Sequence, residues 1–113
     1  MATQEERNIE FMDRLDFEGW NGPDWDLFRQ FHTDDVFVEM LGQQTEDLDA
    51  HVEMCRQIVQ ENPEMKIIDH PIKMAQGEWT CVIGDIAGGQ RMVTVAKWRD
   101  GAISEEYIMM LRS

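Results

Sequence analysis

Two hydrophobic periods divide this chain. Up to residue 62, apolar positions recur at intervals of three and four; from residue 65 they alternate. Ile9, Met12 and Leu15, with Phe11 beside them, predict a helix over 4–18 that Gly19 stops. Asn21-Gly22-Pro23 reads as a turn, with Pro23 opening a short second helix. That helix carries Trp25, Phe28 and Phe31 and ends near His32. Thr33-Asp34-Asp35 then leads into a strand over 36–40, followed by a turn at Gly42. A third helix is expected with Thr45 as its cap and Glu46, Asp47 and Asp49 in its first turns, where the helix dipole favours anions. Leu48, His51, Val52, Cys55, Ile58 and Val59 form its apolar stripe, and Asn62-Pro63 ends it.

The alternating half predicts four strands, over 65–75, 78–87, 91–99 and 102–111. Gln76-Gly77, Gly88-Gly89 and Asp100-Gly101 separate them, and an Asp-Gly pair between alternating segments signals a tight hairpin. Three successive hairpins make an antiparallel meander. Helices first and strands afterwards give an α+β fold. The strands are apolar on both parities: Trp79, Cys81 and Ile83 on one, Val82 and Ile86 on the other. A sheet covered on one side only should alternate with polar residues. A second copy of the sheet is therefore the expected cover for the other face, giving a homodimer.

With 113 residues the chain has room for a single domain, 1–113. Its net charge of −13 is unevenly spread: residues 1–62 hold 16 acidic and 4 basic side chains, the remainder 7 and 6. Such a surface repels phosphate backbones, so no nucleic-acid partner is expected, and neutral or cationic ligands suit it better than anions. No apolar run is long enough to span a membrane. The polar, acidic opening Ala2-Thr3-Gln4-Glu5-Glu6 lacks the features of a leader, which makes a cytoplasmic location the expectation. Cys55 and Cys81 sit among apolar residues and read as two reduced core thiols, although spacing alone leaves a bridge between them open.

Several stretches carry a resemblance. They are His32-Thr33-Asp34-Asp35-Val36-Phe37-Val38-Glu39, Leu48-Asp49-Ala50-His51, His70-Pro71-Ile72, Gly77-Glu78-Trp79-Thr80 and the run from Trp98 to Tyr107. In this order the chain resembles the NTF2-like superfamily, and within it the SnoaL-like polyketide cyclase/ester cyclase group. The resemblance covers nearly the whole chain. It implies a cystatin-like cone, in which N-terminal helices pack on a curved antiparallel sheet around one small-molecule pocket, and dimers through the outer sheet face. Members include cyclases, isomerases, dehydratases, epoxide hydrolases and non-catalytic binders, so the fold does not select a reaction. Two departures stand out. Where ketosteroid isomerase-like members carry a general-base aspartate, this chain has Met40; where SnoaL-like cyclases carry an acid/base aspartate, it reads Met109-Met110-Leu111.

His51, on the apolar stripe of the third helix, is the first catalytic candidate: an inward imidazole can move a proton or orient a ligand. Asp35 is its candidate partner. Glu105 and Tyr107 share parity with Ile103, Met109 and Leu111. The family's acidic residue lies on this parity, so Tyr107 is expected inward as a donor to an enolate oxygen, with Glu105 as a possible base. On the opposite parity Glu106 would point in and Tyr107 would join the dimer surface. Trp20, Trp25, Met40, His70, Trp79 and Met109 are the candidate ligand-binding residues, with the aromatic rings suited to a hydrophobic or polycyclic molecule. Pro71 marks the strand bearing His70 as an edge or a bulge. His32 reads as a helix cap. The three histidines lack HxH or HxxxH spacing, so no metal and no cofactor are expected. Three readings follow: a cofactor-free cyclase, isomerase or lyase moving a proton next to a carbonyl; a non-catalytic small-molecule binding protein; or a structural dimer whose cone is filled.

Overall fold

The computed structural model describes residues 2–112. Helix α1, Gln4–Arg14, begins at a reciprocal cap in which Thr3 and Glu6 satisfy each other's backbone N–H groups. The helix does not end at Leu15. It widens into a π-helical turn, Leu15–Trp20, that runs through Gly19 and buries Leu15, Asp16 and Trp20. Gly19 packs against Phe28, where a Cβ would lie in ordinary contact at 3.6 Å, so it does not break the turn. Helix α2, Trp25–Gln30, is capped by Asp24, not opened by Pro23, which follows a cis peptide bond.

Strand β1 is His32–Met40, four residues longer at its start than the alternation suggests, and it turns back into a short β2, Gln43–Thr45. Thr45 is thus a strand residue. Asp47 caps helix α3, Leu48–Glu61, whose buried face is the expected Leu48, His51, Val52 and Cys55.

Strands β3 (Ile67–Gln76), β4 (Trp79–Ile86), β5 (Gln90–Arg99) and β6 (Ala102–Leu111) form the predicted meander. The β5–β6 hairpin closes on Asp100 and Gly101, both at positive φ, as a two-residue turn of this kind requires. The complete sheet is mixed, in the order β2-β1-β6-β5-β4-β3, because β1 joins β6 in parallel. β3 is an edge strand with register shifts on both sides of Asp69, so Pro71 sits at an edge and a bulge, as its sequence position suggested.

The helices cover one face of this sheet. The sequence between α1 and α2 is tied to the start of β3: the Asn21 amide exchanges hydrogen bonds with the backbone of Ile67, and the Trp20 indole donates to the Met65 carbonyl at 3.0 Å. The interior is lined from the sheet by Val36, Val38, Met40, Val82, Met92, Ala96, Trp98 and Ile103.

The opposite face exposes Ile72, Met74, Trp79, Met109 and Leu111, which are 38–53% accessible. Cys81 lies on this outer parity and Cys55 is buried under α3, so the two thiols are free, and only Cys55 is a core residue. Among the described residues no helix is long and apolar enough to cross a membrane.

Candidate active site

One register shift decides which side chains of β6 face the helices. Trp98 pairs with Ile103 but Lys97 pairs with Glu105, leaving Ser104 as an extra residue. Such a bulge switches strand parity. Ile103 points inward before it; Glu106 and Ile108 point inward after it. Tyr107 and Glu105 consequently face outward, contrary to the expectation from the family's parity. The Tyr107 hydroxyl donates to Glu105 at 2.7 Å, which raises the phenol's affinity for its proton, and its ring packs 6.0 Å from Phe37. Met109 and Trp79 lie on the same outer face and do not reach the interior.

Glu106 is 2% exposed and meets two imidazoles. The same oxygen, Oε1, stands 3.3 Å from Nε2 of His51 and 3.3 Å from Nε2 of His32. Burial raises the carboxyl's pKa, but the hydrogen bonds and charges of the two histidines outweigh it and hold Glu106 down to about 2. His51 comes from the apolar stripe of α3, as expected. Its carboxylate partner is Glu106, whereas Asp35 is exposed, and the nearby Thr33 hydroxyl and the Arg99 guanidinium, which donates to it at 3.1 Å, lower its pKa. His32 begins β1. Its Nδ1 caps α2 by donating to the Phe28 carbonyl at 2.7 Å, so the expected capping role holds while the second nitrogen faces Glu106.

A second ionisable group lies across the interior. The π-helical turn points Asp16 inward, and its Oδ2 is 2.8 Å from Nε2 of His70. Nδ1 of His70 is 2.7 Å from Asp13, which also receives Lys73 at 3.2 Å. An imidazole bonded at both nitrogens by carboxylates is held as the cation. Burial disfavours the charge, but Asp16 and Asp13 outweigh it, and the His70 pKa is raised. Burial raises the Asp16 pKa above its ordinary value despite the opposing pull of His70. Gly84 makes room for this imidazole: a Cβ there would stand 3.3 Å from its Cδ2. His70 thus supports Asp16 and does not itself line the cavity.

Both groups border one internal cavity, lined by Asp16, Trp20, Met40, His51, Thr94 and Glu106 together with apolar neighbours. Trp20 and Met40 are where the sequence placed them. Trp25 is not: it packs edge-on to Phe28 at 5.3 Å, beneath Arg56. The cavity measures only about 20 Å3, room for roughly one water molecule. This is far smaller than the ligand pocket expected, because Leu15, Trp20, Phe28, Met92 and Ile108 fill the cone. Larger hollows of about 400 Å3 exist, but they are surface grooves away from these groups, one between Arg7, Phe11 and Trp98 and another around Gly88-Gly89. Cys55 abuts His51, and burial pushes its thiol pKa well up, so it is not a nucleophile.

Glu106, His32 and Asp16 were not among the sequence-derived catalytic or ligand-binding candidates. Asp16 had a legible signal: it follows Met12 by four residues, which places a carboxylate on the apolar stripe of α1.

No protein-family model matches the chain. No curated protein matches it either. Solved structures do. A protein from Jannaschia described as a candidate SnoaL-like polyketide cyclase superposes with a TM-score of 0.86 at 18% identity, over 97% of this chain and 89% of that one. A SnoaL-like protein of unknown function from Burkholderia thailandensis gives 0.83 at 13%, over 99% and 100%. A candidate ketosteroid isomerase from Kribbella flavida gives 0.76 at 20%, over 98% and 82%. The chain therefore has the α+β, cystatin-like fold shared by SnoaL-like and NTF2-like proteins.

Proposed function

We propose that this protein is an acid/base catalyst that moves a proton next to the carbonyl of a small hydrophobic compound, as an isomerase, cyclase or lyase. The observation that carries this reading is the pair of ionisable groups, Asp16 and Glu106–His51, facing one cavity from opposite elements. Burying such groups costs several kcal/mol each, roughly, before their partners compensate, and an apolar core of the same volume would be at least as stable. A chain that merely needed packing gains nothing from them.

The roles follow from the partners. Asp16, with its pKa raised by burial and His70 fixing its orientation, is the base that takes the carbon-bound proton. His51, oriented by Glu106, donates a hydrogen bond to the carbonyl oxygen as enolate character develops. Return of the proton from Asp16 to another atom completes an isomerisation; loss of a β-leaving group completes a lyase reaction. The cavity must enlarge to admit substrate, and Met40 and Met92 in its wall are unbranched side chains suited to giving way.

The apolar part of the cavity wall, Leu15, Trp20, Phe28, Met92 and Ile108, supports a second reading, a binding protein for a hydrophobic molecule that does no chemistry. A panel of cyclic and polycyclic ketones in D2O, followed by NMR, separates the two. Acid/base catalysis predicts α-proton exchange above the buffer rate, lost in Asp16→Asn with ligand shifts at Trp20 retained. Shifts at Trp20 without exchange would leave a binding protein; neither shifts nor exchange would leave a filled cone.

The exposed apolar outer face is, in the same proposal, the seat of a second copy of this chain. Its exposed side chains Ile72, Met74, Trp79, Met109 and Leu111 are uncharged and lie on one face of the sheet.

A further inference from the structure

His32, His51 and Glu106 come from three elements far apart in sequence, yet their ligating atoms all lie within 4.8 Å of one another, and all three residues are buried. We propose that these three residues bind one divalent transition-metal ion, of the Zn2+ or Fe2+ class. The proposal stands on the donor set and does not depend on the proton-transfer reading above.

The hydrogen-bond pattern leads there. The Phe28 carbonyl can only accept, so the His32 nitrogen 2.7 Å away, Nδ1, carries the hydrogen. If that imidazole is neutral, its Nε2 aims a lone pair at Glu106 Oε1, itself a lone-pair donor, and only a bound cation or a second ring proton reconciles the two. A backbone carbonyl that fixes the tautomer and leaves Nε2 free is the usual outer support of a metal-bound histidine. A protonated imidazole would also resolve the contact, but the distances differ from that case. Ion-paired N–H···O bonds run to about 2.7–2.9 Å, and His70 shows them in this same molecule, at 2.7 Å to Asp13 and 2.8 Å to Asp16. Both contacts to Glu106 are 3.3 Å. Ligands held at about 2.0–2.1 Å around a tetrahedral ion stand about 3.3–3.4 Å apart.

Two imidazoles and one carboxylate select a borderline transition ion over Mg2+ or Ca2+, which take oxygen ligands. Three protein ligands leave a fourth position open, and two of them, His51 and Glu106, border a cavity with room for a water there. A carbonyl oxygen at that position would be polarised by the ion in place of the His51 N–H, with Asp16 still the base. The sequence hid the set because none of its members are neighbours in the chain.

The test uses the full-length chain stripped with chelator and dialysed. Titration with Co2+ should give the visible bands of a four-coordinate ion, saturating at one ion per chain, and Zn2+ should displace it and raise the Tm. His32→Gln, His51→Gln and Glu106→Gln should each weaken Co2+ binding at least tenfold, while Glu105→Gln, on the other face, should leave it unchanged. Should a ligand variant fail to fold by circular dichroism, the wild-type titration decides alone. Absence of Co2+ bands and of a Zn2+ shift in the wild type overturns the proposal, as does undiminished binding in folded ligand variants. Ketone exchange by the metal-free protein would sustain the proton-transfer reading whatever the metal result.

Discussion

Glu105 and Glu106 are adjacent, chemically identical, and placed in opposite worlds. Glu106 is buried between His32 and His51 with its pKa held down to about 2; Glu105 lies on the outer face and accepts a hydrogen bond from Tyr107. Nothing in the two side chains sets this difference. The extra residue at Ser104 sets it, by switching the parity of β6 after the Asp100-Gly101 turn. A single bulge thereby chooses which carboxylate becomes interior chemistry and which becomes surface.

The largest effect should come from removing one carboxylate or the other. Glu106→Ala leaves two buried imidazoles without their partner and should cost about 3–5 kcal/mol in urea unfolding. Glu105→Ala should stay within roughly 1 kcal/mol. Equal losses would mean that the parity assignment is wrong.

Acid should sharpen the contrast. Glu106 in the fold titrates near 2 against an ordinary value of 4.5. Its stabilisation is therefore present above about pH 4.5 and is lost as the pH falls toward 2, on the order of 3 kcal/mol in all. Asp16 runs the other way, because its raised pKa favours the protonated form in the fold, and it offsets part of this loss. The raised pKa of His70 gives a separate alkaline limb: its stabilisation is complete below about 6.5 and is lost as the pH rises through the folded value. Thermal unfolding across pH should show a plateau between those limits, and Glu106→Gln should flatten the acid limb only.

The outer face should respond in association and hardly in folding. Met109→Lys is expected to weaken dimerisation at least tenfold in sedimentation equilibrium, with the far-UV spectrum unchanged. A wild-type chain that stays monomeric at high micromolar concentration would refute the dimer.

The same contrast explains what could be read from the chain. Local signals were legible: alternation gave the four strands of the meander, Asp100-Gly101 gave a hairpin, and the stripe of α3 turned His51 inward. The parallel pairing of β1 with β6 was not, because it joins residues about seventy positions apart and no local pattern marks it. The π-helical turn adds one residue to a helical repeat and the bulge adds one to a strand repeat. The bulge turns Glu106 into the interior against the strand period, whereas Asp16, four residues after Met12, keeps the helical one and was legible. Period-based reading assigns faces on the assumption that no such residue is inserted. That is why it placed Tyr107, Glu105 and Met109 on the wrong side and paired His51 with Asp35.

The central claim is that Glu106 is an interior carboxylate kept ionised by its histidine partners. Carboxyl carbon NMR of the glutamate-labelled protein, titrated downward from pH 7, tests it directly. One glutamate signal should keep its ionised shift well below pH 4.5, down toward about 2, and that signal should be missing from Glu106→Gln. If the Glu106 signal titrates at or above 4.5 while the protein remains folded, the account is contradicted.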